Sequence, residues 1–131
     1  MAVVTDTSAL VEVERGHIRL EELAPGEELA TTVITLSELL HGLHRARGAR
    51  QVQRRAFIEY FLGEIEPLPI TELVARLHAD LWSRLVRRGQ MIGAHDLWIS
   101  ATALAHGAGV VTTDVRDFSR VPGLRVVGLT G

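Results

Sequence analysis

The chain has 131 residues and a formal net charge of −2. It contains no cysteine, which excludes disulfide bonds, thiolate catalysis and cysteine-based zinc sites. All 14 basic residues are arginine, and the absence of lysine excludes a P-loop phosphate site and Schiff-base chemistry. Because the net charge is slightly negative, any contact with a nucleic acid must come from a local basic patch.

Short apolar strands alternate with helices along the chain. The patterns predict strands at 2–5, 29–34, 110–113 and 125–129, and helices at 8–15, about 52–62 and 95–107. Leucines at i, i+3, i+4 and i+7 mark a further helix over 36–43, and a leucine at every fourth position marks another over 73–85 that ends near Gly89. This alternation predicts an α/β fold in which a mostly parallel sheet is covered by helices on both faces.

The length of the chain predicts one domain over residues 1–131, large enough to bury a core. Its apolar content, counted with glycine, exceeds that of an average globular domain, which indicates either a rich core or a partner interface. No apolar run approaches the ~18 residues that a membrane span requires, and acidic residues occupy the positions where a signal peptide is basic and then apolar. We therefore expect a cytoplasmic protein with no membrane contact.

Thr35 and Glu38, in the segment VITLSELLHG (33–42), have the spacing of a capping box, in which two side chains bind free backbone N–H groups at a helix start. A glutamate held there is also well placed to bind a cation together with other carboxylates. Gly42 falls one turn later on the same face, although a glycine inside a helix costs about 1 kcal/mol relative to alanine. It therefore predicts close approach of another element or of a ligand.

Four carboxylates fall where predicted strands end or the following helices begin. Asp6 follows the first strand and Asp114 follows the strand at 110–113, while Glu38 and Asp96 each lie in the first turn of a helix. In open α/β sheets, sites form beyond the carboxyl ends of the strands, near the point where the strand order reverses. Like charges brought together there would raise one another's pKa, and a divalent cation would remove the repulsion. Ligands that are all oxygen favour Mg²⁺ or Mn²⁺ over zinc.

Each of these carboxylates also has a simpler structural explanation. Asp6 and Asp96 are of the residue type preferred at helix N-caps, and Asp114 with Asp117 in TTDVRDF is typical of turns. Capping does not require four acids at one edge of a sheet, however. Their joint placement favours a metal site.

Four segments together carry a family resemblance: VVTDTSAL, TLSELLHG, IGAHDLWISATAL and VVTTDVRDFSRVPGL. In this order and in a chain of this length, they resemble the PIN-domain ribonucleases, specifically the VapC-type toxins of bacterial toxin–antitoxin pairs. The resemblance implies a three-layer α/β/α fold and metal-dependent endonucleolytic cleavage of RNA, which leaves a 5′-phosphate and a 3′-hydroxyl. The implied partners are RNA, an antitoxin protein and a second copy of the chain in a homodimer.

The family pattern, carried over residue by residue, assigns four residues to the acidic, metal-binding and catalytic site: Asp6, Glu38, Asp96 and Asp114. This chain has Asp114 where many relatives carry asparagine, and it adds Asp117 as a further candidate ligand for Mg²⁺ or Mn²⁺. The pattern does not decide which of these two touches the metal directly. Ser8 and Thr112 match hydroxyl positions beside the site, where each could hold a carboxylate or a water.

Arginine is concentrated in HRARGARQVQRR (44–55), where five of twelve residues are arginine. The segment is either a solvated helix face or a contact for RNA or antitoxin, because arginine binds phosphates in a bidentate manner. Arg116 and Arg120 lie nearer the acidic edge and are better candidates for steering an RNA strand. His95, beside Asp96, is interpreted as a polar residue at a helix start.

Aromatic residues are few, and most are interpreted as core. Phe57, Tyr60 and Phe61 recur at helical spacing and indicate core or interface, and the helix at 52–62 is therefore predicted to offer an apolar groove to an antitoxin helix and to support a homodimer. Trp82 and Trp98 are assigned to the core.

Two other functions compete with the ribonuclease. An aspartyl-phosphate phosphatase would also place an aspartate after its first strand, but it needs a second acid where Ser8 stands and a lysine, which the chain lacks. The other alternative is a non-catalytic PIN-like module that only binds antitoxin or nucleic acid. The intact set of acids disfavours it.

Overall fold

The strands form one sheet in the computed structural model, which describes residues 1–129. Its order is β3-β2-β1-β4-β5, and each of the four strand pairs is parallel. The strands are β1 (Ala2–Thr5), β2 (Glu28–Thr32), β3 (Pro67–Leu68), β4 (Gly109–Thr112) and β5 (Val126–Gly128). The predicted α/β class is confirmed, with a sheet that is entirely parallel over these residues.

Six helices accompany the sheet over residues 1–129: α1 (Thr7–Glu14), α2 (Val33–Arg45), α3 (Ala49–Glu64), α4 (Glu72–Arg88), α5 (Ala94–Ala105) and α6 (Val115–Phe118). The sequence patterns missed β3, α6 and a 3₁₀ turn at Leu20–Glu22, because segments this short carry no measurable periodicity. Within the same residues, no helix has both the length and the apolar character needed to cross a bilayer.

Alternating strand residues build a core on each face of the sheet. Val3 and Val111 pack with residues of α1, α2 and α3. Val4 and Val110 point the other way, towards α5 and α6. Helix α4 packs on α5 through a third apolar cluster. The predicted three-layer arrangement is confirmed.

The start of α2 differs from the prediction. Strand β2 ends at Thr32, whose side-chain oxygen caps the helix by accepting from the backbone N–H of Thr35 at 3.1 Å. Thr35 is therefore the third helical residue, and the predicted capping box with Glu38 is wrong. The β-branched residues Val33 and Ile34 extended the apparent strand, although they form the first turn of the helix.

The buried face of α4 also differs from the predicted leucine stripe. Leu73 and Trp82 are each 53% exposed, so the assignment of Trp82 to the core is wrong. His78 occupies a buried position instead and stacks on the half-buried Trp98, with ring centroids 3.5 Å apart. A histidine in an apolar pattern concealed the true stripe, which is Val74, His78, Leu81 and Leu85.

Candidate functional site

The strand order reverses between β1 and β4. The chain continues from β1 to β2 and β3 on one side, and β4 and β5 lie on the other. Asp6 follows β1 and Asp114 lies two residues beyond β4, so both carboxylates lie at the same edge of the sheet. Asp6 and Asp114 therefore lie at the topological switch point of the sheet, as predicted.

Asp6 is buried and held on both carboxylate oxygens. Its Oδ1 accepts from the backbone N–H of Ala9 at 2.9 Å, which makes it the N-cap of α1. Ser8 Oγ donates to Oδ1 at 2.8 Å, and Thr112 Oγ1 donates to Oδ2 at 2.6 Å. Burial raises the pKa of Asp6, although these hydrogen bonds lower it in part. The side chain thus caps a helix and also presents a fixed carboxylate at the edge.

The hydroxyls that hold Asp6 also hold the loop after β4. Ser8 Oγ accepts from the backbone N–H of Thr113 at 3.0 Å. Thr112 Oγ1 accepts from the backbone N–H of Asp114 at 2.8 Å. The two hydroxyl positions suggested by the resemblance therefore bind a carboxylate, and they connect Asp6 to the segment that carries Asp114.

Three aspartates form a compact cluster at this edge. Each of Asp96, Asp114 and Asp117 offers a carboxylate oxygen, and these atoms all lie within 4.8 Å of one another. Asp114 caps the short helix α6 by accepting from the backbone N–H of Asp117 at 3.3 Å. Asp96 does not cap α5, whose N-cap is Gly93, so the capping explanation fails for Asp96.

Asp96 is the most perturbed of these groups. Its pKa is raised to about 6, mainly by burial and in addition by the negative charges of the other four candidate acids, Asp6, Glu38, Asp114 and Asp117. The predicted effect of converging like charges is therefore seen at Asp96, and at Asp6 through Glu38. Asp6 and Glu38 lie outside the mutual 4.8 Å set formed by the other three acids.

Glu38 is oriented by side chains rather than by a cap. Thr7 Oγ1 donates to its Oε1 at 2.6 Å, and His95 Nδ1 lies 3.3 Å from its Oε2. The sequence interpretation missed Thr7, although its position directly after Asp6 was a usable signal. It also assigned no contact to His95.

The comparison with protein families identifies the chain. A family model described as "PIN domain" matches residues 3–124. The chain belongs to the PIN domain family. The solved structures of relatives match the fold of this PIN domain over nearly the whole length of the chain.

Three relatives illustrate the similarity. "Ribonuclease VapC1" of Rickettsia felis is 35% identical, with 97% of this chain and 96% of that protein covered. The crystal structure of VapBC2 from Rickettsia felis, bound to a DNA fragment from its promoter, has a TM-score of 0.89 at 26% identity and covers 99% of this chain and 100% of that one. The crystal structure of VapBC-5 from Mycobacterium tuberculosis, a member of the VapBC family of toxin–antitoxin systems, has a TM-score of 0.81 at 33% identity and covers 98% of each chain.

One arginine lies beside the acidic cluster of this PIN domain. Arg120 Nη1 donates to the carbonyl oxygen of Met91 at 3.1 Å and lies 3.9 Å from Asp117 Oδ1. Arg116 is exposed and makes no ion pair within residues 1–129. The contact of Arg120 with Asp117 agrees with the expectation that this arginine lies near the acidic edge, whereas the role of Arg116 stays a prediction.

The donor set of the cluster fits a hard divalent cation. The carboxylates of Asp96, Asp114 and Asp117 supply oxygen atoms alone, and Asp6 and Glu38 add negative charge nearby. Burial first, and the neighbouring negative charges second, raise the pKa of Asp96, and a bound cation would counteract both effects. The observed residues could therefore hold such a cation.

Proposed function

We propose that this PIN domain is a Mg²⁺- or Mn²⁺-dependent endoribonuclease and the toxin of a type II toxin–antitoxin system. The observation that carries the proposal is the convergence of Asp96, Asp114 and Asp117, with the charges of Asp6 and Glu38 acting on Asp96. The similarity to a ribonuclease VapC1 and to VapBC structures supports RNA as the substrate and an antitoxin as the partner.

In this proposal, Asp96, Asp114 and Asp117 would hold the metal. A cation bound there would supply a Lewis acid, able to lower the pKa of a water molecule and to offset negative charge on the phosphate. Ser8 and Thr112 keep the Asp6 carboxylate in one orientation, and Thr7 does the same for Glu38. One of these carboxylates accepts the proton that the attacking water loses.

Cleavage of a labelled, structured RNA pool tests the proposal. The wild-type protein should cut with Mg²⁺ or Mn²⁺ and stop in EDTA, and Asp96→Asn should abolish cutting. The matched control is Asp80→Asn, which changes an exposed aspartate of α4 and should cleave normally. Undiminished cleavage in EDTA would contradict the metal mechanism. A folded wild type that binds Mn²⁺ but cuts no RNA would support the non-catalytic alternative.

The proposal includes a cytoplasmic location, where RNA and antitoxin are available, and association into a homodimer. The aromatic helix suggested for association is α3, but Phe61 is fully buried and Phe57 half-buried, so both contribute mainly to the core. Helix α4 exposes more apolar surface, because Trp82 and Val86 lie four residues apart on one face and are 53% and 55% exposed. We assign the homodimer contact to this face of α4.

A further inference from the structure

An arginine-rich groove lies where the end of α1, the end of α2 and the start of α3 meet. Its lining includes Arg15, Arg45, Arg47, Arg50 and Arg54. Glu14 is the one carboxylate among the residues that line it. We call this feature the arginine groove. It collects five of the 14 arginines of a chain whose net charge is negative.

One arginine neutralises the acid of the groove. Arg54 Nε and Nη2 each donate to a carboxylate oxygen of Glu14 at 2.8 Å, and Nη1 donates to the carbonyl oxygen of Leu39 at 3.2 Å. The guanidinium lies against Gly42, where a side chain on α2 would collide with it. The predicted close approach at Gly42 is confirmed, and the approaching group is Arg54.

The other arginines of the groove keep their charge available. Arg15, Arg45, Arg47 and Arg50 make no ion pair within residues 1–129, whereas Arg54 offsets Glu14. Arg50 also lies in the first turn of α3, where the helix dipole disfavours a positive charge. This placement does not serve local helix stability. The groove is therefore strongly positive and suited to an anionic ligand.

Helix α2 connects the arginine groove to the acidic cluster. Glu38, Gly42 and Arg45 are spaced i, i+4 and i+7, which places them along one face of the helix. Seven residues at ~1.5 Å each separate Glu38 from Arg45 by roughly 10 Å. That span corresponds to about three nucleotides of a strand at ~3.4 Å each.

We propose that the arginine groove binds backbone phosphates of the RNA strand whose scissile bond lies at the acidic cluster. The inference rests on the proposed ribonuclease function and adds its substrate-positioning surface. Guanidinium groups bind phosphate oxygens in a bidentate manner, and the groove offers four of them without carboxylate competitors. The positive groove thereby offsets the repulsion between RNA and the acids at the cleavage site.

The test compares two variants that each lose three positive charges. The groove variant is Arg45→Gln/Arg47→Gln/Arg50→Gln. The control is Arg19→Gln/Arg76→Gln/Arg84→Gln, which changes two exposed arginines and the half-buried Arg84 elsewhere on the surface. Binding of a fluorescein-labelled single-stranded RNA is followed by anisotropy over a salt series in EDTA, so that metal-dependent cleavage does not occur. Cleavage with Mn²⁺ is measured in parallel to obtain KM and kcat.

The groove variant should show a salt dependence of log Kd shallower by about two, because each lost phosphate contact on a single strand removes ~0.7 from the slope. KM should rise by about tenfold with little change in kcat, since these residues bind the strand away from the reacting atoms. The control should match the wild type in both measurements. Equal salt slopes for the groove variant and the control would overturn the proposal.

Three further outcomes separate RNA binding by the groove from its alternatives. If the groove variant lost affinity for the antitoxin and kept the wild-type RNA slope, the groove would be a protein-docking surface and the proposal would be wrong. If the triple variant failed to fold, Arg47→Gln alone, in the loop between α2 and α3, should lower the slope by ~0.7. A wild type that never cleaves RNA but shows the expected slope difference would refute the ribonuclease function and still support the groove as an RNA-binding surface.

Discussion

Asp96 makes the stability of the metal-free protein depend on pH. Its pKa is about 6 in the folded chain and near 3.8 when unfolded, so the folded state binds more protons between these values. The free energy of unfolding that Asp96 contributes is therefore highest below about pH 4 and falls as the pH rises through about 6. Denaturant unfolding over this range should show a flatter pH dependence for Asp96→Asn than for the wild type, with Asp80→Asn as the control. Identical profiles for all three proteins would mean that Asp96 does not carry this proton.

Glu38→Gln separates charge from position at a single residue. Glutamine can still accept from Thr7, and Thr32 rather than Glu38 caps α2, so the fold should lose no hydrogen bond. Stability without metal should hold or rise, because one like charge near Asp96 is removed. Cleavage and the rise in melting temperature produced by Mn²⁺ should both decrease. Thermal melts with and without Mn²⁺ measure this, and Glu59→Gln, an exposed change on α3, should behave as wild type.

A Glu38→Gln protein that cleaves normally and keeps the full Mn²⁺ effect would remove Glu38 from the metal site. The side chain would then serve only as the acceptor for Thr7 and the neighbour of His95. Because Thr32 caps α2, the cap is excluded, and this experiment decides whether Glu38 is a metal ligand or only the acceptor for Thr7.

The packing of α2 against α3 depends on Gly42. In an unobstructed helix, Gly42→Ala would stabilise the protein by about 1 kcal/mol. Here the new methyl group would displace Arg54 and leave the carboxylate of Glu14, which is only 9% exposed, without its partner. The loss of this partner costs about 1 to 3 kcal/mol, so after the gain in helix propensity we expect a net loss of up to about 2 kcal/mol in urea unfolding.

The matched control is the same Gly42→Ala change made in an Arg54→Met protein. In that background the space beside Gly42 is no longer held by a paired guanidinium, so Gly42→Ala should stabilise by up to ~1 kcal/mol. Stabilisation by Gly42→Ala in the wild-type background would show that Arg54 moves away at little cost. The glycine would then have no packing role between the helices.

Association involves the whole molecule. We predict that helix α4 forms the homodimer contact. Trp82→Glu should convert a homodimer into a monomer, because it places a charge in the centre of the exposed apolar face. Tyr60→Glu on α3, where the residue is 50% exposed, is the matched control and should leave the dimer intact. Light scattering coupled to size-exclusion chromatography measures both masses. A dimer broken by the α3 change and not by the α4 change would return the interface to the helix at 52–62.

Sequence patterns alone predicted the type and order of the long elements and the edge at which the acids gather. Helical and strand periodicities are local properties, and Asp6 and Asp114 follow strands whose ends are visible in the sequence. Residue type also limited the chemistry, because a chain without cysteine offers carboxylates and histidines, and no thiolates, to a cation. The four motifs, in their order along the chain, supplied the resemblance to PIN-domain ribonucleases.

The contacts that hold those residues became visible only in the folded chain. Thr7 and Glu38 are 31 positions apart, and Arg54 and Glu14 are 40 positions apart, so no local pattern reports either contact. The true start of α2 depended on where β2 stops pairing with its neighbours, since Val33 and Ile34 suit a strand as well as a helix. The convergence of acids from different elements, and of arginines in one groove, likewise results from packing across the sheet and between helices.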